Sequence, residues 1–106
     1  MKVDNKNNAA LFGLCKASGN LIQGFDAVVI ELKKEHTKVS GIFLASDLSS
    51  KSEKEIRFFA EKKDVHVHRI NISMDNIEKV LKKRTGILAV TSSSFYKMLK
   101  DKLIRT

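Results

Sequence analysis

The densest group of charged side chains that could contact a ligand is Lys82-Lys83-Arg84, followed by Thr85 and Gly86. We expect these residues to form the loop between a helix and a buried strand, a position from which side chains on a rigid scaffold reach a ligand. A helix C-terminus favours some positive charge by itself, but three consecutive basic residues exceed that requirement. The cluster therefore favours contact with an anionic ligand.

A second candidate is the segment from Gly19 to Gly24, which has the glycine spacing that begins a phosphate-binding P-loop. The motif also needs a lysine followed by serine or threonine, and Phe25 and Asp26 stand there instead, so a nucleotide-hydrolysing function is not supported. What remains is a glycine at a helix start, where backbone N–H groups lie at the positive end of the helix dipole. Such a position suits a phosphate, with Lys16 expected nearby. Spacing alone favours the simpler alternative, in which Asp26 only stabilises the dipole.

Residues that usually perform catalysis or bind metals are not grouped in the sequence. His66 and His68 lie two apart on a predicted strand and face the same side, but zinc needs three or four ligands and no other His or Cys pair completes a set. Cys15 shares the apolar face of the first predicted helix, which is typical of a small buried hydrophobic residue. We therefore expect ordinary strand histidines, no metal, no cofactor and no enzymatic activity.

The positive charge is concentrated late in the chain. The sequence has 20 Lys and Arg against 12 Asp and Glu, a formal net charge of +8. From Lys79 onward there are eight basic residues and one acidic residue. This distribution is expected for a face that meets a polyanion, and a lysine-rich solvated surface is the alternative. The lysines after residue 96 could extend the basic loop or only solvate the last helix.

Length and composition favour one domain over residues 1–106, with residues 1–7 disordered. Of the 106 residues, 42% are hydrophobic, which is enough for one core. A single cysteine excludes an intramolecular disulfide, and no apolar run approaches the length of a membrane span. We expect a cytoplasmic protein that is monomeric when free and has no membrane partner.

Five helices are predicted from hydrophobic periodicity. The first begins after residue 7 or 8 and buries Leu14 and Cys15. The second opens at Gly24, buries Ala27 and exposes Glu31 to water. Serines predict the starts of the others, with a capping box between residues 50 and 53 for the third, residue 73 or 75 for the fourth and residues 92–94 for the fifth.

Four extended segments alternate with these helices: Asn20–Gln23, Val39–Ala45, Val65–Ile72 and Ile87–Thr91. The second and fourth contain continuous apolar runs, which are typical of strands covered on both faces. The alternation of the third breaks at Arg69, which places it near a sheet edge. Strands linked through helices predict an α/β fold, a three-layer α/β/α sandwich with a mainly parallel or mixed sheet.

A further pattern extends over about residues 8–103 and combines the segments Leu11–Gly19, Leu21–Gly24, Gly41–Asp47 and Gly86–Thr91. It resembles the ribosomal protein L-seven-Ae family of kink-turn RNA-binding proteins, in its bacterial YlxQ-like branch. The resemblance implies an α/β/α sandwich with a mixed four-stranded sheet. It also implies RNA binding, in the ribosome or another ribonucleoprotein, by the start of the second helix and the loop before the last strand.

Transferred to this chain, the resemblance implies an RNA-binding site that departs from the family pattern. Family members carry Gly-x-Asn-Glu with a lysine one turn on, whereas this chain has Gly24-Phe-Asp-Ala27 with Ile30 at the lysine position. Losing two polar base contacts, worth about 1–3 kcal/mol each, weakens kink-turn recognition and leaves binding through phosphate and RNA shape. The candidate RNA-binding residues are Gly24, Phe25, Asp26, Lys34, Lys82, Lys83, Arg84 and Thr85.

Two functional hypotheses follow. The first is an RNA-binding module with a structured ribosomal or other non-coding RNA as its partner, and with ribosomal proteins as further candidates. The second is a protein-interaction domain that kept the fold and lost the RNA site, with an exposed Phe25 in the protein contact.

Overall fold

Helices and strands alternate along the chain in the computed structural model, which describes the backbone of residues 5–104 and side chains from Asn8 onward. Disorder was expected for residues 1–7. Residues 1–4 fall outside the described range, and residues 5–7 belong to the first helix, which begins at Asn5, earlier than the cap predicted at residue 7 or 8. The described residues form α1 (Asn5–Ala17), β1 (Leu21–Gln23), α2 (Phe25–Leu32), β2 (Gly41–Leu44), α3 (Ser50–Glu61), β3 (Val67–Arg69), α4 (Met74–Leu81), β4 (Ile87–Val90) and α5 (Ser93–Leu103).

The four strands form one mixed sheet in the order β1-β4-β2-β3. β2 pairs with β3 in parallel, whereas β4 pairs with both β2 and β1 antiparallel. The mixed four-stranded α/β/α sandwich is therefore confirmed, and so is the edge position of the third strand. β3 and the other strands are shorter than the predicted segments.

The central strands explain why the sheet needs helices on both faces. In β4, Leu88 and Val90 pack into one core, and Ile87 and Ala89 pack into the other, because successive side chains of a strand point to opposite faces. One core holds buried residues of α1, α4 and α5, and the other holds buried residues of α2 and α3. The expectation from the apolar runs, that these strands are covered on both sides, is confirmed.

The buried face of α1 differs from the predicted one. Cys15 is buried as expected, but Leu14 is 60% exposed, and Phe12 lies fully inside the core. Ala9, Phe12 and Cys15 repeat every three residues along the face that meets the sheet. Leu14 lies on the opposite side of the helix, so its assignment to the core was wrong.

Helix α2 also differs, because Ala27 is exposed and Glu31 is only 8% exposed. The Glu31 carboxylate accepts hydrogen bonds from the backbone N–H of Lys38 at 3.0 Å and from the Lys34 ammonium at 3.0 Å. The hydrogen bond from the Lys38 backbone, and then the one from the Lys34 side chain, hold the pKa of Glu31 below its usual value. A charged residue tolerates this position because it is fully paired, so the predicted exposure of Glu31 was wrong. The carboxylate therefore stabilises the segment that connects α2 to β2.

The start of α3 is capped by Ser49, whose hydroxyl accepts from the backbone N–H of Ser52, and not by the predicted Ser50–Glu53 box. The Glu53 carboxylate is instead held by Arg57 on the same helix, at 2.8 Å, and by Arg69 of β3. These pairs join α3 to the edge strand. The predicted caps at Ser73 and Ser92 are both present.

Within residues 5–104, no helix has the length and apolar character needed to cross a membrane.

We predict that Glu31→Ala lowers the free energy of unfolding by about 1.5–3 kcal/mol, the range for hydrogen bonds to a charged group. Urea denaturation followed by circular dichroism measures the change. Because the folded pKa of Glu31 is lowered, its contribution is complete above the ordinary carboxyl pKa of about 4.3 and declines as the pH falls through the lower folded value.

The matched control is Glu35→Ala, which removes an exposed carboxylate just beyond the same helix. It should leave the urea midpoint almost unchanged. Equal effects of the two substitutions at neutral pH, or a Glu31→Ala loss that persists unchanged at pH 2, would contradict the assigned role.

Candidate functional site

Two of the predicted segments meet at one end of the sheet. The backbone N–H of Gly24 donates to the Ile87 carbonyl at 2.9 Å. A Cβ atom built on Gly24 would lie 3.8 Å from Lys83 Nζ and 4.0 Å from Thr85 Oγ1. The contact follows from the antiparallel pairing of β1 and β4, in which Gln23 lies opposite Leu88. The end of β1 and the loop before β4 therefore lie side by side.

Gly24 provides an open backbone at the start of α2. Its φ of 96° and ψ of 155° form a conformation that residues with a Cβ rarely adopt. As the N-cap of α2 it supplies no side-chain hydrogen bond to the first turn. The exposed Asp26 carboxylate lies in that turn, where negative charge complements the helix dipole. The start of α2 thus combines a half-buried glycine with one exposed carboxylate that would compete with an anion.

The loop from Lys82 to Thr85 has an exposed part and an anchored part. Lys82 ends α4 in the left-handed conformation with φ of 62°, and its N–H donates to the Glu78 carbonyl at 2.8 Å. Lys82, Lys83 and Arg84 are exposed, but Thr85 is buried. The Thr85 hydroxyl accepts from the backbone N–H of Ile87 at 3.2 Å. Thr85 therefore holds the loop against β4 and turns the basic side chains outward.

Arg84 differs from its two lysine neighbours because α4 supplies carboxylates for it. Its guanidinium pairs with Asp75 and with Glu78, the latter at 3.2 Å. The hydrogen bond to Asp75, and then the one to Glu78, raise the pKa of Arg84. Arg84 in turn lowers the pKa of Asp75. Lys82 and Lys83 have no ion-pair partner among residues 8–104. These two lysines are the loop cations best placed to meet an anion.

The structure does not bring Lys34 to this place. Lys34 follows the far end of α2, about 12 Å of helix from Gly24, and pairs with Glu31 at 3.0 Å. Lys16, expected near Gly24, donates from Nζ to the Leu81 carbonyl at 2.9 Å, at the end of α4 where the basic loop begins.

Phe25, which the protein-interaction hypothesis takes as exposed, is partly buried and packs against the core beneath α2 and α3. Helix α2 continues directly from the edge of the sheet, and its first side chain covers apolar residues there. Lys100 of α5 also lies apart from the loop. Lys100 is close enough to His68 of β3 to act on that side chain electrostatically, and β3 is the sheet edge opposite β1.

Cys15 lies in the core and does not form a reactive site. Burial raises the pKa of Cys15 to about 11, so the thiol is protonated at neutral pH. Its Sγ donates to the Asn20 carbonyl at 3.1 Å. The expectation of a buried small residue is confirmed. Among the described side chains, no three His, Cys, Asp or Glu residues are grouped so that they could hold a metal ion.

The described elements form a small three-layer α/β/α fold. The chain is similar in structure to a protein with unknown function from Bacillus halodurans, with a TM-score of 0.78 and 18% sequence identity over 90% of this chain and 94% of that one. It is also similar to the 15.5kD RNA binding protein of Giardia lamblia, with a TM-score of 0.68 and 11% identity over 96% of this chain and 87% of that one. At these identities the likeness shows the fold. No protein-family model and no curated protein matches the chain.

We predict that Thr85→Val lowers the free energy of unfolding by about 1 kcal/mol, because the shape is kept while the Ile87 N–H loses its side-chain acceptor. Urea denaturation measures the loss. Thr91→Val is the control, since the Thr91 hydroxyl has only a 3.5 Å contact with Asn20 Oδ1. A loss as large at residue 91 as at residue 85 would contradict the anchoring role of Thr85.

Proposed function

We propose that this protein binds RNA through the sheet end where Gly24 meets the loop from Lys82 to Thr85. One observation carries the proposal: a Cβ atom on Gly24 would lie 3.8 Å from Lys83 Nζ. The distance means that a mobile ammonium group and the start of a helix are both within reach of one phosphate. The fold shared with the RNA binding protein of Giardia lamblia supports the same ligand class.

The chemistry of this sheet end suits a phosphodiester better than a free charged metabolite. The positive end of the α2 dipole and the Lys83 ammonium attract the same anion. The missing Cβ at Gly24 leaves room for a sugar-phosphate backbone to approach the protein backbone. Lys82 extends the positive surface along the loop, while Arg84 stays bound to the acids of α4.

Base recognition by this RNA site is altered relative to kink-turn binding proteins. The family's Asn and Glu are replaced by Asp26 and Ala27, both of which are exposed. A carboxylate at residue 26 repels phosphate and accepts hydrogen bonds from bases, whereas alanine does neither. We therefore propose a structured RNA partner in a ribosome or other ribonucleoprotein, bound mainly through phosphate and shape. The partial burial of Phe25 gives no support to the rival protein-interaction function.

We predict that Lys83→Gln weakens binding to a structured RNA containing a kink-turn by about eightfold at 0.1 M monovalent salt, which corresponds to one lost phosphate contact. Fluorescence anisotropy at several salt concentrations measures both affinity and salt dependence. The slope of log affinity against log salt should become shallower by about 1.

The matched control for this experiment is Lys38→Gln, an exposed lysine before β2, whose first residue lies opposite Val90 at the far end of β4 from the loop. It changes the net charge equally at a place remote from the loop and should leave the slope unaltered. The same loss of affinity for both variants would reduce the effect to net charge and refute the assigned site. Unchanged binding by Lys83→Gln would refute it as well.

We predict that the double substitution Asp26→Asn and Ala27→Glu raises affinity for a kink-turn RNA by about fivefold or more, because it restores side chains that pair with base edges. Anisotropy with the kink-turn RNA and with a plain duplex of equal length measures the preference. The duplex affinity should change much less. Equal gains for both RNAs would show that removing the Asp26 charge, and not base recognition, is responsible.

A further inference from the structure

The β3 edge of the sheet carries a row of stacked aromatic rings, far from the site at Gly24. The rings of His66 and His68 are 6.3 Å apart with an interplanar angle of 16°, and those of His68 and Tyr96 are 5.8 Å apart at 26°. His68 Nε2 and the Tyr96 hydroxyl form a hydrogen bond of 2.7 Å. The buried Phe43 ring lies 5.7 Å from His68. The row therefore begins in the core and ends at the exposed His66.

The inner end of this row is rigid because the Tyr96 ring lies directly against the backbone of Gly41. A Cβ atom on Gly41 would lie 2.1 Å from Tyr96 Cε1, so no larger residue fits there. His66 at the outer end, by contrast, is exposed to solvent. An exposed ring that already stacks on a neighbouring ring offers a surface on which a further ring can stack.

Two adjoining cavities of about 230 Å³ each lie beside His66 and share Glu61 and Val65 as lining residues. Arg57 and Val67 complete the first cavity, and Asp64 contributes to the second. The first thus combines an imidazole ring, two valine side chains, a guanidinium group and a carboxylate. Cavities that bind drug-sized ligands measure about 300–1,000 Å³. Each of these cavities is smaller than that, so its size suits a single flat heterocycle.

Arg57, the cation that lines the first cavity, is already held by hydrogen bonds. Arg57 donates from Nε to Glu53 at 2.8 Å and from Nη1 to the Val67 carbonyl at 3.3 Å. Burial, and then the positive charges of Lys100, His66 and Arg57, lower the pKa of His68. The inner imidazole is therefore neutral at pH 7. Lys100, which has no ion-pair partner among residues 8–104, is the nearby cation that can attract a phosphodiester.

We propose that the paired cavities beside His66 bind one unpaired RNA nucleobase that carries an exocyclic amino group. The base stacks on the His66 ring, its amino group donates to the Glu61 carboxylate, and the adjoining phosphate is attracted by Lys100. Aromatic stacking accepts any base, but a carboxylate acceptor favours cytosine, adenine and guanine over uracil, which has no amino group.

The choice of RNA as the ligand rests on the proposed function, but the place is different. β1 and β3 are the two edges of the sheet, so the cavities lie across the domain from Gly24 and the basic loop. A structured RNA bound at the loop could place an unpaired nucleotide at β3. The histidines, which the sequence suggests are ordinary strand residues, thereby gain a specific role.

The test is a nuclear magnetic resonance titration of the ¹⁵N-labelled full chain with two unstructured octanucleotides of equal charge, oligocytidine and oligouridine. We expect oligocytidine to shift the backbone amides of Val65–His68 and to bind about fivefold more tightly than oligouridine. His66→Ala should weaken oligocytidine binding about fivefold or more, while His66→Phe, which keeps a stacking surface, should retain it. Glu61→Gln should reduce the preference for cytidine, and Glu55→Gln on the same helix should not.

The outcomes separate this proposal from the RNA-binding site at Gly24. Shifts confined to Gly24 and residues 82–86 would overturn the β3 cavities and leave the proposed function intact. Shifts at Val65–His68 that persist in Lys83→Gln would support the cavities even if the loop does not bind RNA. Equal binding of the two octanucleotides, or unchanged binding by His66→Ala, would overturn the assigned recognition.

Discussion

Burial of β2 and β4 on both faces is the constraint from which the rest of this structure follows. Every residue of these two strands is buried, so each strand must be covered by helices above and below. The strand order places β4 and β2 in the centre of the sheet and leaves β1 and β3 as its edges. The edges and strand ends are then the places where polar groups remain available. Both candidate binding sites lie there, because a core of this kind has no room for them elsewhere.

The antiparallel pairing of β1 with β4 converts this layering into a specific local arrangement. It sets the end of β1 beside the loop before β4, although about 60 residues separate Gly24 from Lys83 in the chain. The short strands matter here, because a register that runs from Gln23–Leu88 to Leu21–Val90 leaves little freedom to slip without moving apolar side chains out of the core. Thr85 adds the last fixed point, since its hydroxyl satisfies the Ile87 N–H at the beginning of β4.

Features governed by local chemistry were predictable from the sequence, and features governed by distant partners were not. Apolar runs identified β2 and β4, and the break at Arg69 identified the edge strand. Helix periodicity failed at Leu14 because several registers of a short helix bury similar apolar area, and the sheet decides among them. The burial of Glu31 depends on the backbone N–H of Lys38, which no helical pattern reveals. The sequence suggested that Glu53 is part of a capping box because its partner on β3, Arg69, is 16 residues away.

The candidate site illustrates the same division for electrostatics. The positions of the basic residues in the sequence identified the basic loop. They do not show which of Lys82, Lys83 and Arg84 is paired with a carboxylate. The structure separates them, because Asp75 and Glu78 on the preceding helix neutralise Arg84 and leave the lysines exposed. Likewise, the late lysines count equally in the net charge of +8, yet Lys100 lies toward the opposite sheet edge from Lys83. A formal charge therefore measures attraction to polyanions in general, whereas the positions of individual cations relative to carboxylates decide where a phosphate can settle. By that criterion we expect a phosphate to bind at the end of β1 in preference to the β3 edge. The carboxylates that line the cavities at the β3 edge fit the proposed recognition of a base.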